Sequence, residues 1–461
     1  MTLRLYDTLT RTVRPLQLQR PGHVGLYVCG PTVQAQPHVG HLRSAVALDV
    51  LHRWLTETDH QVTFVRNVTD IDDKIIHDAG HNDEPWWALS TRMTTAFTHA
   101  YESVRVLPPS VEPRVTGHLP QIVALIEELV ANGSAYASGG DVYLAVATVG
   151  SYGSLSNQDV ANLRQGEADD SLKRSPVDFA LWKAAKPGEP SWPSPWGEGR
   201  PGWHIECSAM AVEYLGTTFD LHGGGLDLVF PHHENERAQS TAAGHGFATH
   251  WLHHGLVTAA GGEKMSKSLG NSVTVAEALQ TVPPVILRYA LGTSHYRSTI
   301  EWSDQVVAEA CAAYGRIETF VRNATDATSG VEPGESKVSW AEFAAALDDD
   351  LAVPQALATI HNGVRTGNAL LAAGDLTALA GTLAVVRRML GVLCLDPLAD
   401  WPSSTGELTP VVDALVQLAV EARADARERK DYAQADALRD RLAAAGIVLE
   451  DTAGGVRWRL Q

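Results

Sequence analysis

Hydrophobic residues in the first part of the chain follow strand-like and helix-like patterns in turn. Val24 to Cys29 is a short apolar run that ends at Gly30-Pro31, which is typical of a buried strand with a sharp exit. Val62 to Val65 is a second β-rich run. Between them, after Pro37, apolar residues recur with helical spacing at Val39, Leu42, Val46, Val50 and Trp54. The order strand, helix, strand predicts a βαβ unit in a parallel sheet, with a nucleotide site at the strand ends.

The remainder of the chain divides by pattern into further segments. From about residue 77 to 200 the pattern is mixed and indicates an insertion. The α/β pattern resumes with Asp220 to Phe230. Beyond Val306 nearly every stretch has helical periodicity, and the Pro- and Gly-containing break from Pro397 to Glu407 separates a bundle from a small last unit.

These segments predict an α/β protein of several domains. Residues 1–305 are predicted to form a domain with a Rossmann-like parallel sheet, an inserted domain at about 77–200 and a loop region at about 257–305. Residues 306–400 are predicted to form an α-helical bundle, and residues 408–461 a small C-terminal α+β unit.

Composition excludes several classes of protein without choosing a function. The chain has 461 residues, of which 44% are hydrophobic, so global disorder is excluded. A formal net charge of −18 argues against non-specific coating of nucleic acid. It does not exclude a nucleic-acid partner, because an acidic protein can carry local basic patches. Four cysteines make no disulfide framework, so we expect a cytoplasmic protein. The most apolar stretch, Ala369 to Leu395, contains Asp375 and Arg387-Arg388, so we expect no membrane span.

Two short motifs contain residue types that suit phosphate chemistry. His38-Val39-Gly40-His41 stands at the start of the predicted helix, where both histidines share one side and Gly40 leaves the backbone open to a flat ligand. The helix N-terminus adds N–H groups that favour a phosphate. Lys264-Met265-Ser266-Lys267-Ser268 lies in a glycine-bounded loop whose lysines suit the outer phosphates of a nucleotide. Taken singly, these motifs could be a solvated helix turn and a solvated basic loop.

Taken together and in this order, the two motifs resemble the signatures of class I aminoacyl-tRNA synthetases. Longer segments resemble one group of that class, the cysteinyl-tRNA synthetase family, from about Leu26 to Trp458. These segments are Cys29-Gly30-Pro31-Thr32, Asn67 to Lys74, Gly202 to Met210, His222 to Asp227 and Pro231 to Glu236. The resemblance implies a ligase that joins L-cysteine to tRNA(Cys) with ATP.

The resemblance also implies one active-site zinc ion that selects the cysteine thiol. Pocket shape alone separates cysteine poorly from serine, whereas Zn²⁺ binds a thiolate strongly. The family holds that zinc with two cysteines, a histidine and a glutamate, which correspond here to Cys29, Cys207, His232 and Glu236. The spacing of the two cysteines would not by itself indicate a metal site.

Alternative ligands remain open from the sequence. His232 and Glu236 lie four residues apart, so both would face one side of a helix that Pro231 could begin. Rival ligands nearby are His204, His233 and Glu234, and His204 or His222 could instead line the substrate pocket.

The two-step reaction of the family implies roles for further residues. The cysteine carboxylate would attack the α-phosphorus of ATP, and the cysteinyl group would then pass to the 3′-terminal ribose of tRNA. His38 and His41 would stabilise charge on the phosphate, while Lys264 and Lys267 would share the outer phosphates with Mg²⁺. The other ATP-binding candidates are Gly40, Gly224 within the run Gly223-Gly224-Gly225, and Asp227. The cysteine-binding candidates are Thr32, Thr69 and Trp203.

Two regions carry weaker expectations. Between Thr32 and His38 many family members have an aromatic–acidic pair, where this chain reads Val33-Gln34-Ala35-Gln36-Pro37. The tail from Arg423 onward alternates basic and acidic residues, which by itself is typical of a charged surface helix. The resemblance favours anticodon reading there. The candidate tRNA contacts are Arg427, Asp436, Arg439, Asp451 and Trp458.

Rival functions are distinguished by what the chain retains. A cysteine ligase of mycothiol synthesis would share the zinc site and both signatures, but it would have no use for an anticodon domain. A non-catalytic RNA-binding descendant should have lost a signature histidine, a zinc ligand or the lysine loop, and all of these are present. A generic zinc-dependent nucleotidyltransferase would leave the helical third unexplained. We therefore expect a synthetase, acting as a monomer.

Overall fold

The computed structural model describes residues 3–159, 163, 170–259, 261–263, 265, 272–402, 409–452 and 455–460. The chain forms two compact units, Met1–Trp401 and Pro402–Gln461.

The elements of the first unit alternate between strands and helices before they become wholly helical. In chain order they are β1 (Arg4–Asp7), β2 (Thr12–Pro15), β3 (His23–Val28), α1 (Val39–Glu57), β4 (Gln61–Arg66), α2 (Asp73–His81), α3 (Trp86–Ser103), α4 (Leu119–Ala131), β5 (Ala135–Ser138), β6 (Asp141–Leu144), β7 (Phe179–Ala184), β8 (Gly199–Pro201), α5 (Trp203–Leu215), β9 (Thr218–Gly225), α6 (Glu234–Ala242), β10 (Phe247–His254), β11 (Val257–Thr258), α7 (Val275–Thr281), α8 (Pro284–Gly292), β12 (Ile300–Glu301), α9 (Asp304–Ala327), α10 (Trp340–Asp348), α11 (Val353–Ala373) and α12 (Leu376–Leu393).

A parallel sheet with strand order β10-β9-β3-β4 forms the centre of the first unit. Helix α1 connects β3 to β4 and buries its apolar side, so the predicted βαβ unit is confirmed. Five of the six residues of β3 are buried, as expected for a parallel strand that is covered on both faces. Since the strands are parallel, their carboxyl ends at Val28, Arg66, Gly225 and His254 lie along one edge of the sheet.

The insertion contains its own antiparallel sheet, with strand order β5-β6-β7-β8. Its core is continuous with one side of the central sheet, because Leu144 and Phe179 belong to the same buried cluster as Tyr27 and Val65. The chain returns from β8 directly into α5, which packs against β3 and β9.

Helices α9 to α12 share a continuous hydrophobic core with the central sheet. Phe343 and Leu383 belong to the same cluster as Leu26 and Val46. The fully buried Arg288 of α8 reinforces this junction. It pairs with Asp49 of α1, and it donates to the carbonyl oxygens that follow α3 and end α12, each at 3.0 Å.

Helix α12 has the length and apolar composition of a membrane span. Core helices of soluble proteins share both properties, and 61% of this helix is buried within the protein. Asp375, which was expected to interrupt the stretch, instead caps its N-terminus by accepting from the Ala378 N–H. The absence of a membrane span therefore stays a prediction.

The second unit combines two helices with a hairpin, in agreement with the predicted α+β unit. The elements are α13 (Thr409–Glu428), α14 (Tyr432–Ala444), β13 (Ile447–Thr452) and β14 (Gly455–Leu460). The two strands pair antiparallel, and α14 packs against β13.

Candidate functional site

A cavity of about 340 Å³ opens at the carboxyl edge of the central sheet. Its lining includes Cys29 after β3, Gly225 at the end of β9 and His254 at the end of β10. Strand ends in parallel sheets place loop and helix N-terminal residues around one crevice, which is where ligands bind in such folds. The cavity therefore lies where the sequence predicts a nucleotide site, and nucleotide binding there stays a prediction.

Four predicted metal ligands converge beside this cavity, where Cys29 belongs to the lining and Cys207, His232 and Glu236 are buried behind it. One ligand atom from each of Cys29, Cys207, His232 and Glu236 lies within 4.8 Å of the others. Oε1 of Glu236 lies 3.1 Å from the Cys29 Sγ and 3.1 Å from the His232 Nε2. Two thiols, an imidazole and a carboxylate are a donor set that suits Zn²⁺. The residues present therefore fit zinc by their chemistry and convergence.

A second donor set overlaps the first. Cys29, His222, His233 and Glu236 also bring one ligand atom each within 4.8 Å of one another. Nε2 of His222 lies 2.9 Å from Oε2 of Glu236 and 3.9 Å from the Cys29 Sγ. The two sets share Cys29 and Glu236, so geometry alone leaves His233 as a rival ligand, as the sequence did.

The other two rival ligands face away from the donor set. Nδ1 of His204 lies 2.9 Å from Nδ1 of His232, so His204 contacts the imidazole edge opposite the Nε2 that faces Glu236. The Glu234 carboxylate instead accepts hydrogen bonds from Ser156 of the insertion. These contacts explain why His204 and Glu234 do not join the cluster of donors.

The helix geometry around His232 differs from the prediction. Pro231 does not begin α6; it lies in a wide turn, Val229–His233, and the α-helix starts at Glu234. His232 and Glu236 nevertheless meet, because Phe230 alone in this turn departs from helical φ/ψ and the backbone from Pro231 onward runs helically into α6. The predicted shared side is confirmed, and Pro231 begins the helical backbone although the regular α-helix starts three residues later.

Burial governs the ionisation of the donor set. Burial, together with the neighbouring Cys207 and Glu236, raises the pKa of the Cys29 thiol well above its usual value. Burial also raises the pKa of Cys207. Burial opposes ionisation of Glu236, but the imidazoles of His222 and His232 outweigh it and lower its pKa. A divalent cation supplies the positive charge that two buried thiolates require.

The first signature forms a reciprocal cap at the start of α1. The His38 Nδ1 accepts from the Gly40 N–H at 3.1 Å, and the His41 Nδ1 accepts from the His38 N–H at 3.1 Å. The two rings lie 3.8 Å apart between centroids, and both line the cavity. Burial lowers the pKa of His38, and burial together with His38 lowers the pKa of His41 to about 3. Both rings are therefore neutral at neutral pH.

The predicted adenosine side divides into residues that line the cavity and one that packs behind it. Among the described residues, the lining includes Gly40, Gly225 and Asp227 but not Gly224. A Cβ on Gly224 would lie 2.6 Å from the His233 ring, so this glycine permits close packing of that imidazole. Within the predicted glycine run, Gly225 is the residue that lines the cavity.

The predicted cysteine-binding residues also lie at two depths. Thr32 and Trp203 line the cavity, and the Trp203 ring lies 4.3 Å from that of His232. Thr69 is buried behind Thr32, and its hydroxyl donates to Glu206 at 3.3 Å. Gln34, from the segment that departs from the family pattern, lines the cavity as well.

Sequence reasoning assigned no role to Asn67, although it begins a quoted motif. Its Oδ1 accepts from the Gly30 N–H at 2.8 Å and lies 3.7 Å from the Cys207 Sγ. A Cβ on Gly30 would lie 1.6 Å from the Asn67 carbonyl oxygen, so only glycine fits beside it. The Gly-Pro pair after the strand was the available signal for this close approach.

The remaining predicted residues lie partly outside the described chain. Lys264 and Lys267 are outside the described residues, whereas Met265 between them lines the cavity. In the second unit, Arg427 lies in the last turn of α13 and Asp451 on β13. Asp436 and Arg439 form an exposed pair on α14, 3.5 Å apart. The Trp458 indole donates to Asp413 at 2.8 Å, which ties β14 to α13.

Comparison with known proteins gives consistent matches along the chain. Residues 15–312 match the model described as "tRNA synthetases class I (C) catalytic domain", residues 342–395 match a "DALR domain", and residues 405–459 match a "Cysteinyl-tRNA ligase anticodon binding domain". A cysteine–tRNA ligase of Frankia casuarinae is 49% identical over the full length of both chains. One of Streptomyces coelicolor is 54% identical and covers 100% of this chain and 76% of that relative.

Solved structures support the fold independently. The methionyl-tRNA synthetase of Mycobacterium tuberculosis in complex with methionyl-adenylate has a TM-score of 0.62 at 17% identity, over 84% of this chain and 93% of that one. A leucyl-tRNA synthetase of Agrobacterium radiobacter has a TM-score of 0.59 at 11% identity, over 85% and 88%. The chain belongs to the cysteine–tRNA ligase family of class I aminoacyl-tRNA synthetases.

Proposed function

We propose that this chain is a cysteine–tRNA ligase that activates L-cysteine with ATP and transfers it to the 3′-terminal ribose of tRNA(Cys). The observation that carries this proposal is the convergence of two thiols, an imidazole and a carboxylate beside a cavity that is lined by Cys29 and by both signature histidines. A site of this kind combines thiol recognition with nucleotide chemistry in one crevice.

Cysteine selection rests on the four donors. Cys29, Cys207, His232 and Glu236 would hold one zinc ion, whose Lewis acidity favours a thiolate over a hydroxyl or a methyl group. Cys29 is only partly buried and faces the cavity, so the donor set is accessible from the substrate side. Trp203 beside His232 narrows the approach, and Thr32 offers a hydroxyl to the polar end of the amino acid.

The signature histidines would act as neutral hydrogen-bond donors to the α-phosphate. Because each Nδ1 accepts a backbone N–H, the proton of each neutral ring resides on Nε2. Donors fixed in this way need no reorganisation as negative charge develops on the phosphate. The dipole of α1 favours negative charge at its N-terminus, and Gly40, which lines the cavity, keeps that surface open.

The remaining ATP contacts follow from sequence and position. Asp227 lines the cavity and suits ribose hydroxyls. Lys264 and Lys267 would neutralise the outer phosphates together with Mg²⁺, which supports departure of pyrophosphate. Met265, which stands between the two lysines in the sequence, lines the cavity.

Binding of tRNA is assigned to the helical regions. The bundle of residues 306–400 would contact the tRNA body, and residues 408–461 would read the anticodon. The proposed contacts there are Arg427, Asp436, Arg439, Asp451 and Trp458. We further propose that the enzyme is a monomer that acts in the cytoplasm.

The decisive experiment follows labelled cysteine into purified tRNA(Cys), with serine as competitor and with metal content measured on the same preparation. We expect charging with cysteine, rejection of serine and about one zinc per chain. Cys207→Ala should lose both zinc and cysteine affinity, whereas the matched control Cys311→Ala, an exposed residue of α9, should retain both. Full zinc occupancy in Cys207→Ala would remove that residue from the ligand set, and absence of charging by the parent protein would overturn the function.

A further inference from the structure

A short segment of the insertion grips the beginning of α6, the helix that contains Glu236. This segment, Ser151–Ser156, is called the serine loop below. It contacts three of the first four residues of α6 through side chains. The remaining one of these four residues is Glu236, which lies among the proposed metal donors instead. The loop therefore holds the residues on either side of a proposed ligand.

Loss of the contact with Glu234 should cost the most stability of the three contacts. Glu234 is fully buried. Its Oε2 accepts from the Ser156 N–H at 2.7 Å and from the Ser156 hydroxyl at 2.8 Å, while its Oε1 has no hydrogen-bond partner in the described part of the chain. A buried carboxylate without hydrogen-bond donors destabilises the folded state, and displacement of the serine loop would leave Glu234 without the donors of Ser156.

Two further contacts fix the rotation of the helix. The Tyr152 hydroxyl donates to Oδ1 of the buried Asn235 at 2.5 Å. On the next side of the helix, the Arg237 guanidinium donates to the Ser154 hydroxyl at 2.9 Å and to Ser151 at 3.3 Å. Contacts at residues 234, 235 and 237 span most of one turn, so α6 can neither rotate nor slide without breaking several of them.

We infer that the serine loop is a positioning element for the metal site, through which the insertion controls how tightly His232 and Glu236 hold the metal and hence the cysteine thiol. The inference rests on the proposed zinc-dependent function. Tyr152 and Ser156 are positioning residues, since their hydroxyl groups donate to Asn235 and Glu234, which flank the proposed ligand Glu236.

The physical reason is the narrow tolerance of metal coordination. Groups that orient metal ligands from behind commonly change metal affinity by about 10–100-fold when they are removed. The serine loop acts one step further out, through the backbone of α6, so a smaller effect is expected for each contact. Loss of one hydroxyl hydrogen bond corresponds to about a fivefold change.

The experiment compares zinc release and substrate affinity in full-length variants. Tyr152→Phe and Ser156→Ala each remove one hydroxyl from the serine loop. Tyr143→Phe is the matched control, because its hydroxyl donates to Asp141 within the inserted sheet, away from α6. Ser156→Thr retains the hydroxyl and should restore parental behaviour. Zinc release is timed with a chromogenic chelator, and KM values for cysteine and ATP are measured by pyrophosphate exchange.

We expect each single variant to release zinc about fivefold faster and the double variant more than tenfold faster, with KM for cysteine rising in parallel. KM for ATP should stay within about twofold, because His38 and His41 lie on a different helix. Parental zinc release in both single variants would overturn the inference. So would an equal rise of both KM values, or the same changes in Tyr143→Phe. A parent protein that binds no zinc would instead overturn the metal site itself, before any variant is compared.

Discussion

His254 is expected to make the first unit lose stability as the pH falls, and the effect can be isolated with one variant. The residue ends β10 and is 4% exposed; its Nε2 lies 2.8 Å from the Ser44 hydroxyl. Burial lowers its pKa from 6.5 to about 4. Below pH 6.5 His254 binds a proton in the unfolded chain but stays neutral in the folded chain. Stability therefore falls as the pH falls, until His254 of the folded chain is also protonated.

The magnitude follows from the gap between the two pKa values. At about pH 5 His254 is almost fully protonated in the unfolded chain but not in the folded one. Between pH 6.5 and 5, a span of about 1.5 pH units, the free energy of unfolding therefore falls by about 2 kcal/mol relative to its value at about pH 7.5. His254→Gln cannot take up this proton. At neutral pH the variant should be about 1 kcal/mol less stable, because the hydrogen bond with Ser44 is impaired.

The assay is urea-induced unfolding of parent and His254→Gln at both pH values, followed by tryptophan fluorescence. Every other titrating group is common to the two proteins, so their difference reports His254 alone. The order of stability should reverse, with the variant about 1 kcal/mol more stable than the parent at about pH 5. If both proteins lose equal stability on acidification, the buried, neutral state assigned to His254 is wrong.

Three further predictions concern the fold, the lysine loop and the last unit. Arg288→Met should cost about 3 kcal/mol in urea unfolding, because two buried carbonyl oxygens lose their donor while Asp49 keeps Arg53 at 2.7 Å. A loss below about 1 kcal/mol would contradict that reasoning. Lys267→Ala should slow pyrophosphate exchange by about 100-fold with zinc content unchanged, and an undiminished rate would refute its role. Removal of residues 408–461 should spare adenylate formation and impair charging of tRNA, so normal charging would exclude anticodon reading there.

The central fold was predictable because burial leaves a period in the sequence. The buried β3 is a short continuous apolar run and the apolar side of α1 repeats with the helical period, and the order of these elements allows few arrangements. The start of α12 was less predictable, because Asp375 could either interrupt the apolar stretch or cap the N-terminus of the helix. The choice depends on whether the Ala378 N–H is available to it, which the apolar pattern does not encode.

The site was predictable only in part, for a reason that its geometry makes plain. Cys29 and Glu236 are 207 residues apart in the chain yet in contact, so no local spacing indicates the pair. Resemblance to a family supplied the four donors, including His232, whereas spacing and geometry leave His233 as a rival, because both histidines lie in the same turn and both approach Glu236. It also proposed the run Gly223-Gly224-Gly225 for the adenosine side without showing that Gly225, rather than Gly224, lines the cavity.

The order of the donors along the chain explains why the insertion matters to the site. Cys29 precedes the inserted sheet, while Cys207 lies in α5, which begins two residues after its last strand. A displaced insertion would therefore pull on α5 through a very short connection and on α6 through the serine loop. Two of the three elements that carry donors depend on one added domain, whereas His38 and His41 are held by the cap of α1. Thiol recognition and phosphate chemistry thus share a cavity but rest on separable supports, so changes in the insertion should alter the first without altering the second.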